Sequence, residues 1–301
     1  MLNSFLVSLD ESDFDERILP YASALAQSAG VSLHLAHVHV PHPTTQFMIT
    51  QFGWESVETW QYDEQDKKEE RGYLDETAKR VGKELGKTVT PVLLLGEVPE
   101  AVEEYVKAHG VGLVLVGAHR HRGLLGLGSE VLEDALVHHT DLPVLIVPQE
   151  AEFPSEDGIQ RILVPLDITE RPHTILEPTA ELAQATGAEL ILLHVMSTKS
   201  AMGIPVGHQP GRQDIAKAYL EGIAESLRER PQHKSIVVHC RVVQHTTPVQ
   251  AILDVIRDER VDLIALTTDG HAGLKRALLG SVSESVLRDS HTPVLLERPL
   301  A

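Results

Sequence analysis

Thr267-Thr268-Asp269-Gly270, nine further residues, then Gly280-Ser281-Val282-Ser283 is the stretch on which the reading of this chain turns. It has an altered twin 150 residues earlier, Gly117-Ala118-His119-Arg120, seven residues, then Gly128-Ser129-Glu130-Val131. Each copy follows an apolar, strand-like run and precedes a helix-like one. That junction is where backbone N–H groups can cradle an anion. A signature that occurs twice at such a spacing predicts two copies of one folding unit.

Working outward, the same order of elements precedes each copy. Phe5 to Leu9 reads as a strand ending at Asp10. Ile18, Ala22, Leu25, Ala26 and Ala29 then recur at helical spacing before Gly30, and Val31 to Val40 resumes as a strand. The order restarts at Arg161: a strand Ile162 to Leu166, Asp167, a helix Thr174 to Thr186, Gly187, a strand Glu189 to Val195. Irregular stretches follow, Pro41 to about Gln61 and Met196 to about Gly211. Each leads through a charged helix to a third strand, Thr88 to Leu95 and Lys234 to Val243. Helices Pro99 to Ala108 and Pro248 to Arg257 start at proline, as helices favour. Strands Gly112 to Val116 and Asp262 to Leu266 run into the signatures. Helices from Ser129 and Ser281 follow, and strands Pro143 to Val147 and Pro293 to Leu296 close the units.

Strands alternating with helices imply right-handed crossovers and a parallel sheet covered on both faces. The fold class expected is therefore α/β, two doubly wound, five-stranded, Rossmann-like domains in tandem, spanning 1–150 and 159–301. Glu150 to Gly158, with Pro154 and several acidic residues, reads as the linker. Ligands of such sheets sit beyond the carboxyl ends of the strands, where the strand order reverses. Asp10 and Asp167, Val38 and Val195, and both signatures fall at that edge.

Composition narrows the function classes. With 44 acidic and 26 basic residues, the net charge of −18 repels phosphate backbones and anionic lipid at long range, so no nucleic acid and no membrane is expected as partner. A small anionic ligand remains compatible, since local amides outweigh the global field at short range. The absence of a long apolar run, the start Met1-Leu2-Asn3-Ser4-Phe5 with no basic segment, and the single Cys240 lead to the expectation of a cytoplasmic protein.

At this depth both halves resemble the universal stress protein family, and the whole chain resembles a tandem member of it. The family's nucleotide-binding members carry Gly, two residues, Gly, nine residues, Gly, then Ser or Thr. The second half keeps that spacing with Thr267 in place of the first glycine, and His194-Val195 and Thr292-Pro293-Val294-Leu295 are similar to its flanks. The resemblance implies an adenine nucleotide alpha hydrolase-like fold and an adenine nucleotide, ATP or else ADP or AMP, held with or without Mg²⁺ in the second half. Asp167 would meet the ribose or adenine side, and the Val195 backbone the adenine edge. Thr267, Gly270, Gly280, Ser281, Val282 and Ser283 would line the phosphates. Glycine lets amides approach oxygens closely, and the Ser281 and Ser283 hydroxyls could bond them.

The first copy is degenerate. Arg120 stands where the second glycine belongs, the loop is two residues shorter, and Glu130 adds a negative charge. Its counterparts, Asp10, Val38, Gly117, Gly128 and Ser129, are weaker candidates, although His119, Arg120, His121 and Arg122 could bind an anion through side chains. Ser281-Val282-Ser283-Glu284 also satisfies a capping box, which needs no ligand.

Other constellations carry less. His34, His37, His39 and His42 crowd the second strand, with His37 and His39 on one face. No complete ligand set accompanies them, so strand-end or surface histidines and no metal are expected. Gly126-Leu127-Gly128 lacks the third glycine of a dinucleotide fingerprint, Val131 standing there. Phe47 to Tyr62 holds Met48, Phe52, Trp54 and Trp60 and reads as a loop packed on its own domain. With no nucleophile and base pair, no catalytic residue is expected. The function expected is a stress-response sensor or switch, in which nucleotide occupancy orders the loop Thr268 to Leu279 and alters a partner surface. By resemblance the halves pair through their fifth strands, and two chains can pair further as a dimer. The alternatives are a slow Mg-dependent ATP hydrolase and a ligand-free or metal-responsive interaction scaffold.

Overall fold

The computed structural model describes residues 2–11, 15–41, 57–118, 136, 140, 142–151, 158–168, 174–198, 210–268 and 281–298. They form two compact units, Leu2–Thr140 and Asp141–Ala301.

In the first unit, β1 (Ser4–Leu9), α1 (Asp15–Ala29), β2 (Ser32–His39), α2 (Val57–Leu85), β3 (Val89–Leu95), α3 (Val98–His109) and β4 (Leu113–Ala118) alternate along the chain. The strands lie in the order β3-β2-β1-β4, all parallel. Strand order reverses between β1 and β4, at the point expected for a doubly wound sheet. Apolar runs specify the central strands: Phe5, Leu6, Val7, Val114 and Leu115 are completely buried, as in strands covered on both faces.

The second unit contains β5 (Val144–Pro148), β6 (Arg161–Pro165), α4 (Leu176–Thr186), β7 (Glu189–Ser197) and α5 (Pro210–Glu229). A 3₁₀ turn, Pro231–His233, leads on to β8 (Val238–His245), α6 (Pro248–Glu259), β9 (Leu263–Thr267), α7 (Ser281–Asp289) and β10 (Val294–Glu297). The order is β5-β10-β9-β6-β7-β8. All neighbours are parallel except β5 and β10, whose antiparallel register pairs Leu145 with Leu295. The order reverses between β6 and β9. At the opposite end of those strands Asp262 fastens them together, its Oδ2 accepting from the Gln160 and Arg161 amides at 2.8 and 2.9 Å.

The structure corrects three boundaries. The third strand of the second half starts at Val238 rather than Lys234, because Pro231 opens a 3₁₀ turn that Ile236 N–H closes onto the His233 carbonyl at 3.2 Å. The stretch Val57 to Gln61 is helical rather than irregular. It contains no glycine or proline and extends the charged helix upstream, so residues from Val57 onward do not belong to the loop expected over Phe47 to Tyr62; residues 42–56 lie outside the described residues. The helix expected from Thr174 begins at Leu176, Thr174 belonging to the preceding turn.

The repeat extends to the helix ends. Gly110 follows α3 in the left-handed region at φ 63°, and Arg260 follows α6 there at φ 51°. A residue with a Cβ is disfavoured in that conformation by about 1 kcal/mol, whereas glycine is not. Arg260→Gly is therefore expected to raise stability by about 0.5–1 kcal/mol, and Gly110→Arg to lower it by a similar amount. Urea unfolding of the two variants checks both signs.

Candidate functional site

The carboxyl ends of β6, β7 and β9 bring three of the expected residues to one edge. Asp167 is exposed just beyond β6, Val195 is half-buried near the end of β7, and Thr267 is the half-buried last residue of β9. Ser281 begins α7, with Val282 half-buried behind it. Ser283 is nearly buried, and its hydroxyl donates to the Thr267 carbonyl at 3.1 Å. The two ends of the signature are thus tied together, and this hydroxyl proton already has an acceptor. Gly270 and Gly280 lie outside the described residues.

The first unit places Asp10 exposed after β1, Val38 buried in β2 and Gly117 buried in β4. Gly128, Ser129 and the cluster His119 to Arg122 lie outside the described residues.

Backbone pairing at the two edges differs. In a parallel sheet, alternate residues of a strand direct their N–H and C=O toward opposite neighbours. Leu190 and Thr198 donate toward β8, to the Val237 and His245 carbonyls, while Glu189 donates toward β6, to Gln160. Val195 therefore faces the β6 side. The β6–β7 register ends at Pro165 with Leu193, and Leu166 N–H adds one bond to the Leu193 carbonyl at 2.8 Å. The Leu166 carbonyl, next in line for Val195 N–H, accepts instead from His194 Nδ1 at 2.9 Å. Among the described residues, Val195 N–H has no hydrogen bond. In the first unit His37 Nδ1 likewise donates to the Leu9 carbonyl, at 3.0 Å, yet the register continues through Leu9 with His37.

The β6–β9 seam also opens early. It pairs only Ile162 with Leu263 and Leu163 with Ile264, whereas β1–β4 runs on through Val7 with Leu115 and Ser8 with Val116. Ser8 and Pro165 occupy the same place in the repeat. Arg161 bonds toward β9 through its carbonyl, so Pro165, an even number of residues on, faces that neighbour and has no N–H to give. Pro165 is a candidate site residue that the signature does not mark. Its signal was a proline in the last position of an apolar strand whose twin holds serine.

Two carboxyls also escaped the sequence reading. Glu70 of α2 reaches β2, where its Oε2 accepts from His39 Nδ1 at 2.9 Å and its Oε1 lies 3.6 Å from His37 Nε2. His39 is 2% exposed and ends β2, so of the two settings expected it takes the strand end and not the surface. His34 is spent elsewhere, on the Tyr105 hydroxyl at 2.8 Å, and His42 lies outside the described residues. No group of three His, Cys, Asp or Glu side chains among the described residues is arranged to hold a metal ion. In the second unit Glu297 ends β10 beside Thr267, and its backbone carbonyl accepts from Thr268 N–H at 3.0 Å. Burial pushes the Glu297 carboxyl above its usual range, and the Thr174 hydroxyl opposes this to a smaller extent.

A separate cavity of about 720 Å³ lies between α4 and α5, lined by Leu176, Tyr219, Ile223 and the Glu177–Arg230 ion pair. It contains none of the expected site residues. No helix among the described residues is long and apolar enough to cross a membrane.

An α/β sheet of mixed winding, with its open backbone at the reversal of strand order, defines a Rossmann-like protein of the doubly wound class. Comparison with known proteins refines this. The sequence profile described as the universal stress protein family matches residues 1–148 and again 158–298. A universal stress protein of Mycobacterium tuberculosis is 24% identical over 298 residues, covering 97% of this chain and 95% of that one. One of Bacillus subtilis is 30% identical over 147 residues, covering 46% of this chain and 98% of its own. The crystal structure of a universal stress protein from Archaeoglobus fulgidus superposes with a TM-score of 0.68 at 20% identity, covering 98% of this chain and 96% of that one. The chain belongs to the universal stress protein family and carries its domain twice.

The pH dependence of Glu297 tests the electrostatics of this edge. Its pKa is higher folded than unfolded, so the folded state holds the proton more tightly. That contribution is complete below the unfolded pKa and is lost as pH rises through the folded one. Glu297→Gln, which keeps the shape and removes the ionisation, should raise Tm at about pH 7 and leave it unchanged at about pH 4. Thermal melts of both proteins across that range decide it.

Proposed function

We propose that the second half of this chain, residues 159–301, binds an adenine nucleotide, ATP or its ADP or AMP forms, and that occupancy makes the protein a stress-response switch. The observation that carries the reading is the Val195 N–H on the β6–β7 seam, which has no hydrogen bond among the described residues. Its strand lies next to the reversal of strand order between β6 and β9, with Asp167 and Thr267 at the ends of those two strands. A backbone N–H and C=O facing outward at that edge match the donor and acceptor of an adenine rim. Family membership and the nine-residue spacing from Gly270 to Gly280 support the same assignment. Gly270, Gly280 and the amides of Ser281, Val282 and Ser283 then serve the phosphates, with Mg²⁺ as an accessory, since the start of α7 presents donors. Ser283 contributes through its backbone, because its hydroxyl is directed at Thr267.

The first half, residues 1–150, is the non-binding copy. Its β1–β2 and β1–β4 registers run further, and the Glu70 carboxylate, held by the histidines on either side of Val38, repels a polyphosphate. Asp10, Val38, Gly117, Gly128 and Ser129 are then structural remnants of the repeat. Pairing of the halves through their fifth strands is supported by the antiparallel register of β5 with β10. Homodimerisation and a cytoplasmic location complete the proposal.

Denaturing freshly purified protein and identifying the released nucleotide tests it. Adenine nucleotide is expected from the wild type and none from Gly280→Arg, whose side chain would fill the phosphate approach. Wild-type protein that releases nothing and shows no thermal shift with ATP would exclude the reading. Steady phosphate release that disappears in Asp167→Ala would convert the switch into a hydrolase.

A further inference from the structure

We infer that Pro165 and His194 are positioning residues that keep the ligand edge of the second unit open, and that Ser8 marks the closed form of the same edge in the first. The inference rests on the nucleotide reading above and names the residues that make one copy competent.

A parallel sheet gains a hydrogen bond for each backbone group it pairs, so an edge remains open only where something prevents the next bond. Two devices do so here, one on each side of β6. Toward β9, proline at 165 removes the donor that serine supplies at position 8, and the seam ends after Leu163 with Ile264 instead of reaching the equivalent of Ser8 with Val116. Toward β7, the His194 imidazole donates to the Leu166 carbonyl and so occupies the acceptor that faces Val195 N–H.

The same imidazole bond exists in the first unit, so histidine by itself does not open the edge. There His37 is also approached from its other side by Glu70, at 3.6 Å, and the strand before it has serine in place of proline. Among the described residues His194 Nε2 forms no hydrogen bond or ion pair. His39, which binds Glu70 in the first unit, is replaced at the matching position by Met196. A carbonyl can accept two hydrogen bonds. In the first unit Leu9 takes both the imidazole and the ladder, whereas in the second the β6–β7 register ends at Pro165 with Leu193 and the second bond to the Leu166 carbonyl is not formed.

Amide hydrogen exchange on the full-length, nucleotide-free protein tests this directly, alongside ATP affinity by calorimetry. Val195 N–H is expected to exchange much faster than Val38 N–H in the wild type. His194→Leu frees the Leu166 carbonyl, so Val195 protection should rise and ATP affinity fall about tenfold, the size of one hydrogen bond. His194→Asn places an amide donor near the position of Nδ1 and should restore both readings. Pro165→Ser should protect the β6–β9 seam and weaken ATP binding without lowering Tm. A wild-type Val195 amide as protected as Val38 overturns the inference. So does a His194→Leu protein that loses Tm while exchange and affinity stay at wild-type values. Wild-type protein that fails to bind ATP sinks the nucleotide reading alone, and the exchange contrast still decides the role of Pro165 and His194.

Discussion

Every strand of a doubly wound sheet that is covered on both faces must satisfy its N–H and C=O groups through its neighbours, because no water reaches them. This constraint governs both units. The apolar stretches around Phe5, Val114, Leu163 and Ile264 are completely buried, and they can be so only while the ladder on either side is unbroken. Where the ladder stops, backbone groups become available to something else. The candidate site is that stopping place, and its chemistry is largely main-chain chemistry.

The two units resolve the constraint differently. In the first, β1 is paired through Leu9 on the β2 side and through Ser8 on the β4 side, and the nearby imidazoles of His37 and His39 face Glu70. In the second, the β6–β9 register stops after Leu163 with Ile264. On the other side of β6 the β6–β7 register stops at Pro165 with Leu193, beyond which Val195 N–H has no hydrogen bond among the described residues. The difference in strand register between the copies thus has a local physical cause. A single proline at a strand end changes how far two strands zip, and the length of that zip fixes how much backbone faces a ligand.

Much of this was legible beforehand. Alternating strands and helices, the doubled signature and the paired aspartates at strand ends give the class of fold and the edge at which a ligand would sit. Short continuous apolar runs bounded by turn residues marked the central strands, since strands buried on both faces need not alternate. Less legible were the contributions of residues distant in sequence. Nothing near His39 announces that Glu70 will reach it from α2, and nothing near Thr267 points to Glu297, which meets it only because β10 lies beside β9. Lys234 to Val237 reads as part of a strand by composition, yet β8 starts only at Val238, because the 3₁₀ turn opened by Pro231 sets the backbone just before it.

Sequence by itself determined the period of the repeat, the α/β class and the departures of the first signature at Arg120 and Glu130, since each is a property of residue type and spacing along the chain. Tertiary structure decided which backbone groups stay unpaired, that Ser283 spends its hydroxyl on Thr267, and that His37 and His194 share one bond but keep different company. Those outcomes depend on how far neighbouring strands run together. That distance is set by contacts between segments far apart in the chain, which local pattern does not encode.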